Sequence, residues 1–193
     1  LSSFEWTRHH LVLNVLEDVK NRLYVLTPGD GEWKREPLVD VPAIGAVSLS
    51  AVDADETDEV FMTVTGYLTP TTLSYGELGE KLSPLKQMPA FFDASNFEVS
   101  QHFATSKDGT KVPYFMIAKK HLKLDGSNPT LQYGYGGFEI SMTPSYSATV
   151  GRGWLSLGGV YVVANIRGGG EYGPRWHQAA VKDKRLRSYE DFA

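Results

Sequence analysis

Two glycine-rich words in this sequence could do chemistry. Tyr133-Gly134-Tyr135-Gly136-Gly137-Phe138 follows an apolar stretch. Glycines there open backbone conformations closed to other residues and let a ligand approach the main chain. A tyrosine hydroxyl held in such a loop can donate a hydrogen bond to an oxygen on which negative charge develops. At the carboxyl end of a strand, where α/β sheets place ligands, Tyr135 would make the loop an anion or oxyanion site. The same residues would also serve as a tight strand-to-helix turn with no ligand. Arg167-Gly168-Gly169-Gly170-Glu171-Tyr172-Gly173 follows the most apolar run, residues 160–166. Three glycines before an acid and an aromatic are unusual for a plain connector. The simpler reading is a structural loop held by an Arg167–Glu171 or inter-loop ion pair.

Other chemistries are excluded by residue type and spacing. In the first word Gly134, Gly136 and Gly137 do not match the G-x-G-x-x-G spacing, and no Gly-Lys-Ser/Thr follows, so both nucleotide readings of it are weak. The absence of cysteine removes disulfides, thiolate zinc sites, iron–sulfur clusters and cysteine nucleophiles. His9-His10, His102, His121 and His177 have no acid or histidine at metal-ligand spacing, and each reads as structural or surface. No metal or cofactor is expected. No G-x-S-x-G occurs, so the usual nucleophile elbow is missing. The basic run at residues 182–187 reads as solvated surface.

These loops need elements to position them. In the first half, residues 11–16, 22–27, 43–52, 60–67 and 71–78 read as short strands joined by Gly, Pro and Asp turns, the pattern of a sandwich, barrel or propeller. Residues 79–92 read as a polar connector. Beyond it, residues 97–105 and 111–119 form an expected hairpin around Ser106-Lys107-Asp108-Gly109, Asp-Gly being a strong turn signal. Residues 145–157 read as a helix, and residues 160–166 as a buried central strand of an α/β sheet. Residues 176–180 suit a short helix. Ser188 is placed to cap a helix starting at Tyr189.

The bulk numbers fit two units. The chain has 193 residues, 41% hydrophobic, 22% charged and 12% aromatic, too apolar for intrinsic disorder. Its net charge of -4 hides an asymmetry: residues 1–89 carry a net of -7 and residues 90–193 a net of +3. No long basic run points to nucleic acid. No stretch approaches the roughly 18 apolar residues that a membrane helix needs. The lack of cysteine suits the cytoplasm and tolerates the periplasm. The sequence stops at Ala193 within an expected helix, so it reads as a piece of something longer.

At these words the sequence resembles a known family. Ser106-Lys107-Asp108-Gly109-Thr110-Lys111-Val112-Pro113, then Leu124-Asp125-Gly126-Ser127-Asn128-Pro129, then the Tyr133–Phe138 word, then Ala164-Asn165-Ile166 running into the Arg167–Gly173 word follow in order. Trp176-His177 and Tyr189-Glu190-Asp191-Phe192-Ala193 complete the set. In that order and spacing they are similar to the prolyl oligopeptidase family of serine peptidases, nearest its proline-specific branch. The similarity is strong over residues 90–193 and looser over 1–89.

The resemblance implies the C-terminal part of a β-propeller (residues 1–88), followed by the N-terminal part of an α/β-hydrolase sheet domain (residues 89–193), incomplete. It implies cleavage of short proline-containing peptides on the carboxyl side of proline, through an acyl-enzyme, by a protein that is monomeric at full length. Tyr135 matches the family's oxyanion-hole tyrosine. Phe138 matches an aromatic residue of the substrate pocket. Arg167 and Glu171 match a loop that shapes the active-site face. The family's serine, aspartate and histidine lie downstream of the Tyr189–Ala193 word, so residues 1–193 alone are expected to be inactive. Without the nucleophile strand, residues 160–166 are expected to lack a neighbour and expose an apolar edge. A related oligopeptidase with dibasic specificity, and a non-catalytic partial-propeller interaction module, remain the alternatives.

Overall fold

A computed structural model describes residues 1–193, which divide into two compact units. The first comprises Leu1–Pro89 with Pro144–Tyr146, and the second Ala90–Thr143 with Ser147–Ala193.

The first unit holds two four-stranded antiparallel meanders. One runs β1 (Ser3–Trp6), β2 (Leu11–Glu17), β3 (Lys20–Pro28), β4 (Trp33–Pro37). The other runs β5 (Ala46–Ala51), β6 (Glu59–Thr65), β7 (Thr72–Glu77), β8 (Ser83–Gln87). Alternation on the inner strands points one face inward. Val12 and Leu23 from the first sheet meet Val47 and Met62 from the second in one apolar cluster. A buried amide pair ties the sheets beside it. Asn14 donates to the Val47 carbonyl at 2.8 Å, Asn21 donates to Asn14 Oδ1 at 2.6 Å, and Val47 N–H donates to Asn21 Oδ1 at 3.1 Å. A second tie links Thr7 and His9 to Asp58, with Thr7 Oγ1 donating to Asp58 Oδ1 at 2.6 Å and His9 Nδ1 lying 2.6 Å from Asp58 Oδ2.

Three strands of this unit differ from the sequence expectation. β1, β4 and β8 had no alternation to reveal them, and β8 lies inside the expected polar connector. β4 and β8 are exposed at every position, and both stand at the outer edge of their sheets. Pro84 fits there because an edge strand needs no second set of amide donors.

The second unit is built on a mixed sheet ordered β11-β12-β10-β9. β9 (Phe97–Thr105) and β10 (Lys111–Lys119) form the expected hairpin, and β12 (Val160–Ala164) runs antiparallel to β10 and parallel to β11 (Thr130–Gly134). A parallel pair needs a long crossover, and here it contains α1 (Ala148–Gly153) and a 3-10 turn at Leu155–Leu157. The expected helix over 145–157 is therefore shorter. Ser147 caps it by accepting from Val150 N, and glycines at 151 and 153 weaken its end. Phe115, Ile117, Leu155, Val160 and Val163 make the buried centre. Two short helices follow, α2 (Pro174–Gln178) and α3 (Leu186–Phe192).

Two expectations are corrected here. Residues 160–164 are not an exposed edge: β12 lies between β11 and β10, and the edges are β11 and β9. β11 is the exposed one of the parallel pair, with Leu131 and Tyr133 nearly half accessible. Ser188 is not a cap, because α3 begins before it. It is fully buried inside the helix, and its Oγ donates to the Arg167 carbonyl at 2.6 Å.

Candidate active site

β11 and β12 are parallel neighbours, so their carboxyl ends lie side by side. The two glycine-rich words begin at those ends, the Tyr135 loop after β11 and the Arg167 loop after β12. The loops interlock. Gly136 has φ +56, and a Cβ there would stand 2.4 Å from Ile166 Cγ1 and 2.8 Å from the Arg167 carbonyl. Gly168 has φ +99, and its Cβ would stand 2.3 Å from the Gly136 carbonyl. Both positions combine a left-handed backbone with a contact that no side chain can share. The Glu139 N–H donates to the Gly168 carbonyl at 3.3 Å across the seam.

His177 on α2 braces the same seam. Its Nδ1 lies 2.7 Å from the Gly168 carbonyl and 3.2 Å from the Glu139 nitrogen. The ring's tautomer decides the partner: a protonated Nδ1 donates to the Gly168 carbonyl, and a bare Nδ1 accepts from the Glu139 N–H. Trp176 Nε1 donates to the Ile166 carbonyl at 3.2 Å. Arg185, at the start of α3, donates through Nη1 to the Gly136 carbonyl.

Above this seam lies a hollow of ≈ 620 Å³ lined by Tyr135, Phe138, Glu139, His177, Lys182 and Arg185 among others. Tyr135 is 39% and Phe138 83% exposed. Phe138 and Glu139 have φ of 52° and 57°, so the loop projects Phe138 outward on a backbone that non-glycine residues rarely adopt. The hollow thus brings together a phenol donor, an aromatic face and an imidazole.

Arg167 and Glu171 lie beneath the loops and outside the lining of the hollow. Arg167 is buried and holds two carboxylates. Its Nη2 is 2.6 Å from Asp191 Oδ1, its Nε 2.9 Å from Asp191 Oδ2, and its Nη1 2.6 Å from Asp108 Oδ2. The Arg167 N–H also donates to Asp191 at 2.9 Å. Of the two ion pairs the sequence left open, the inter-loop one forms and the Arg167–Glu171 one does not. Hydrogen bonds donated to Asp191, set against burial and joined by those to Asp108, raise the Arg167 pKa further. Hydrogen bonds from Arg167 and Thr110 hold Asp108 well below the usual carboxylate range.

Glu171 faces the other way. Its Oε1 accepts from Met142 N–H at 2.9 Å and from Asn165 Nδ2 at 3.3 Å. Its Oε2 is buried without a partner, and burial raises its pKa despite those bonds. Both residues therefore brace the loops from below.

The sequence reading missed Asp108 and Asp191 as partners of Arg167, and His177 and Arg185 as braces. Asp108 was visible only as a turn residue, and Arg185 only as part of a basic run. One serine–histidine contact, Ser100 Oγ to His102 Nε2 at 2.8 Å, stands on β9, and neither residue lines the hollow.

Known proteins resemble this chain in sequence and fold. The profile of the N-terminal β-propeller domain of prolyl oligopeptidases matches residues 1–87, and the profile of the prolyl oligopeptidase family matches residues 145–193. A peptidase of Sinorhizobium fredii with no assigned activity is 46% identical over 187 residues, covering 96% of this chain and 26% of that protein. A prolyl endopeptidase of Elizabethkingia meningoseptica is 41% identical over 164 residues, covering 84% of this chain and 23% of that protein. The solved structure of a post-proline cleaving enzyme from Rickettsia typhi superposes with a TM-score of 0.79 at 32% identity, covering 98% of this chain and 27% of that one. The chain spans about a quarter of the length of the curated relatives it matches.

Proposed function

Because this chain belongs to the prolyl oligopeptidase family of serine peptidases, we propose that the protein carrying it cleaves short peptides after proline, with Tyr135 as an oxyanion donor. The fold class is that of the family, the C-terminal part of a β-propeller followed by the first part of an α/β-hydrolase sheet. We assign residues 1–88 to the propeller and 89–193 to the main block of the peptidase domain.

One observation carries the proposal: Tyr135 and Phe138 share one hollow at the carboxyl end of β11, on a loop that the β12 loop locks from below. In the reaction a serine oxygen supplied outside residues 1–193 attacks the carbonyl carbon of proline. The new C–O bond places negative charge on the carbonyl oxygen. The Tyr135 hydroxyl donates to that oxygen, beside a backbone N–H near the serine. The C–N bond then breaks, a histidine returns the serine's proton to the leaving amine, and water hydrolyses the acyl-enzyme. Phe138 offers an aromatic face for the proline ring. Arg167 and Glu171 shape the loop without touching substrate.

The substrates are short proline-containing peptides, and the full-length protein acts as a monomer in the cytoplasm or the periplasm. No helix is long and apolar enough to cross a membrane. Residues 1–193 assayed alone are expected to be inactive, because no nucleophile elbow lies among them.

The test is Tyr135→Phe in the whole protein, assayed on a chromogenic peptide ending in proline. Loss of one oxyanion donor costs about 10²–10³-fold in kcat, and KM is expected to stay within a small factor. An unchanged kcat removes Tyr135 from the reaction. Cleavage after paired basic residues in place of proline would shift the assignment to the dibasic branch.

A further inference from the structure

We infer that Arg185 is a positioning residue for the Tyr135 hydroxyl, pinning the loop that carries it from the start of α3. The inference rests on the assignment of Tyr135 to the oxyanion. Arg185 Nη1 donates to the carbonyl of Gly136, the residue directly after Tyr135. The guanidinium fits in space that Gly168 leaves open: a Cβ at 168 would stand 3.0 Å from Arg185 Nη1. Its other side faces the Tyr189 ring at 5.6 Å. The helix behind it is anchored in turn, because Asp191 is locked to Arg167 and Ser188 to the Arg167 carbonyl. A charge-assisted bond therefore runs from a fixed helix to the peptide beside the proposed donor.

The loop needs such a pin. Gly136, Phe138 and Glu139 all hold positive φ, and such conformations persist only where the surroundings over-determine them. Tyr135 itself is 39% exposed, so its own packing does not fix it. Misplacement of a reacting group by about 1 Å costs on the order of 10²-fold in rate. Arg185 shares the hollow with Tyr135, but its bond is to the Gly136 carbonyl. Its effect passes through the Gly136 peptide.

The experiment compares Arg185→Ala, Arg185→Lys and Tyr135→Phe, singly and combined, in the whole protein. Arg185→Ala is expected to lower kcat about 10–100-fold with KM within about twofold, and Arg185→Lys to recover most of the loss. Affinity for a peptide aldehyde, whose hemiacetal oxygen mimics the oxyanion, should fall by the same factor as kcat. Affinity for the product peptide should hold. In the Tyr135→Phe background the Arg185→Ala loss should shrink to less than about threefold, since residues acting as a unit are not additive. Arg185→Gln replaces Arg185→Ala if the alanine variant does not fold. An unchanged kcat, a change in KM alone, or a loss that multiplies fully with Tyr135→Phe would overturn this inference alone. An unimpaired Tyr135→Phe would overturn the oxyanion assignment and this inference with it.

Discussion

Every nitrogen of the Arg167 guanidinium faces a carboxylate oxygen, and the side chain is only 4% exposed. Such a cation is tolerated because Asp191, itself at 0% side-chain exposure, neutralises it at bidentate geometry. Removing Arg167 strands Asp191 without water, and removing Asp191 leaves the buried cation only Asp108 at the solvent side. Asp191→Asn or Arg167→Met is therefore expected to cost about 3–5 kcal/mol, read from a urea unfolding curve. Asp108→Asn, at the solvent side of the same guanidinium, should cost less. A melt unchanged by Arg167→Met would show that the pair contributes nothing net. An inter-loop ion pair was legible as one of two options at Arg167, but its partners were not. Its partners lie 59 and 24 residues away, and an arginine before three glycines does not say which acid it meets.

Two glycine loops joined across neighbouring parallel strands behave as one element. At Gly168 an alanine would need a left-handed backbone and would place its Cβ 2.3 Å from the Gly136 carbonyl. Overpacking of this kind costs about 1–3 kcal/mol, and Gly168→Ala should lower the melting temperature and activity together. Gly79→Ala, in a surface turn with nothing within 4 Å of its Cβ, is the control for positive φ alone. If both lower stability equally, the interlock has no weight. The loops themselves were legible, since glycine runs after apolar strands announce close approach. The interlock was not, because it depends on which strands are neighbours. Strands β2, β3, β5, β6 and β7 showed as short runs between Gly, Pro and Asp turns. β4 and β8 did not, being exposed on both faces and held by backbone pairing. Helix α3 begins earlier than Ser188 implied, because that serine bonds to a distant carbonyl instead of its own helix end.

Over the whole molecule, two carboxylates pull the pH dependence of stability in opposite directions. Burial pushes the Asp58 pKa up, but hydrogen bonds from Thr7 and His9 outweigh it and bring it from 3.8 to about 2. A carboxylate depressed on folding stabilises above its unfolded pKa. That stability is lost as pH falls from 3.8 to about 2. Glu171 is the reverse: burial raises it above 4.5, so its contribution is complete below 4.5 and declines as pH climbs toward the folded value. In melting temperature measured against pH, Asp58→Asn should flatten the acid limb and Glu171→Gln the limb above 4.5. Unaltered slopes in both variants would mean that neither group governs them. The division into an acidic first half and a basic second half was readable from charge alone. The placement of Asp58 against residues 7 and 9 was not, since the packing of one sheet on the other brings them together.

The bond from Arg185 to the Gly136 carbonyl spans 49 positions along the chain, and the Arg167–Asp191 lock spans 24. A ribosome adding about 5–20 residues per second would finish the Tyr135 loop some 2–10 s before its brace exists. During that interval the nascent loop is a tether between strands, without a fixed hydroxyl. The order of synthesis thus delays assembly of the proposed oxyanion-binding surface until α3 docks.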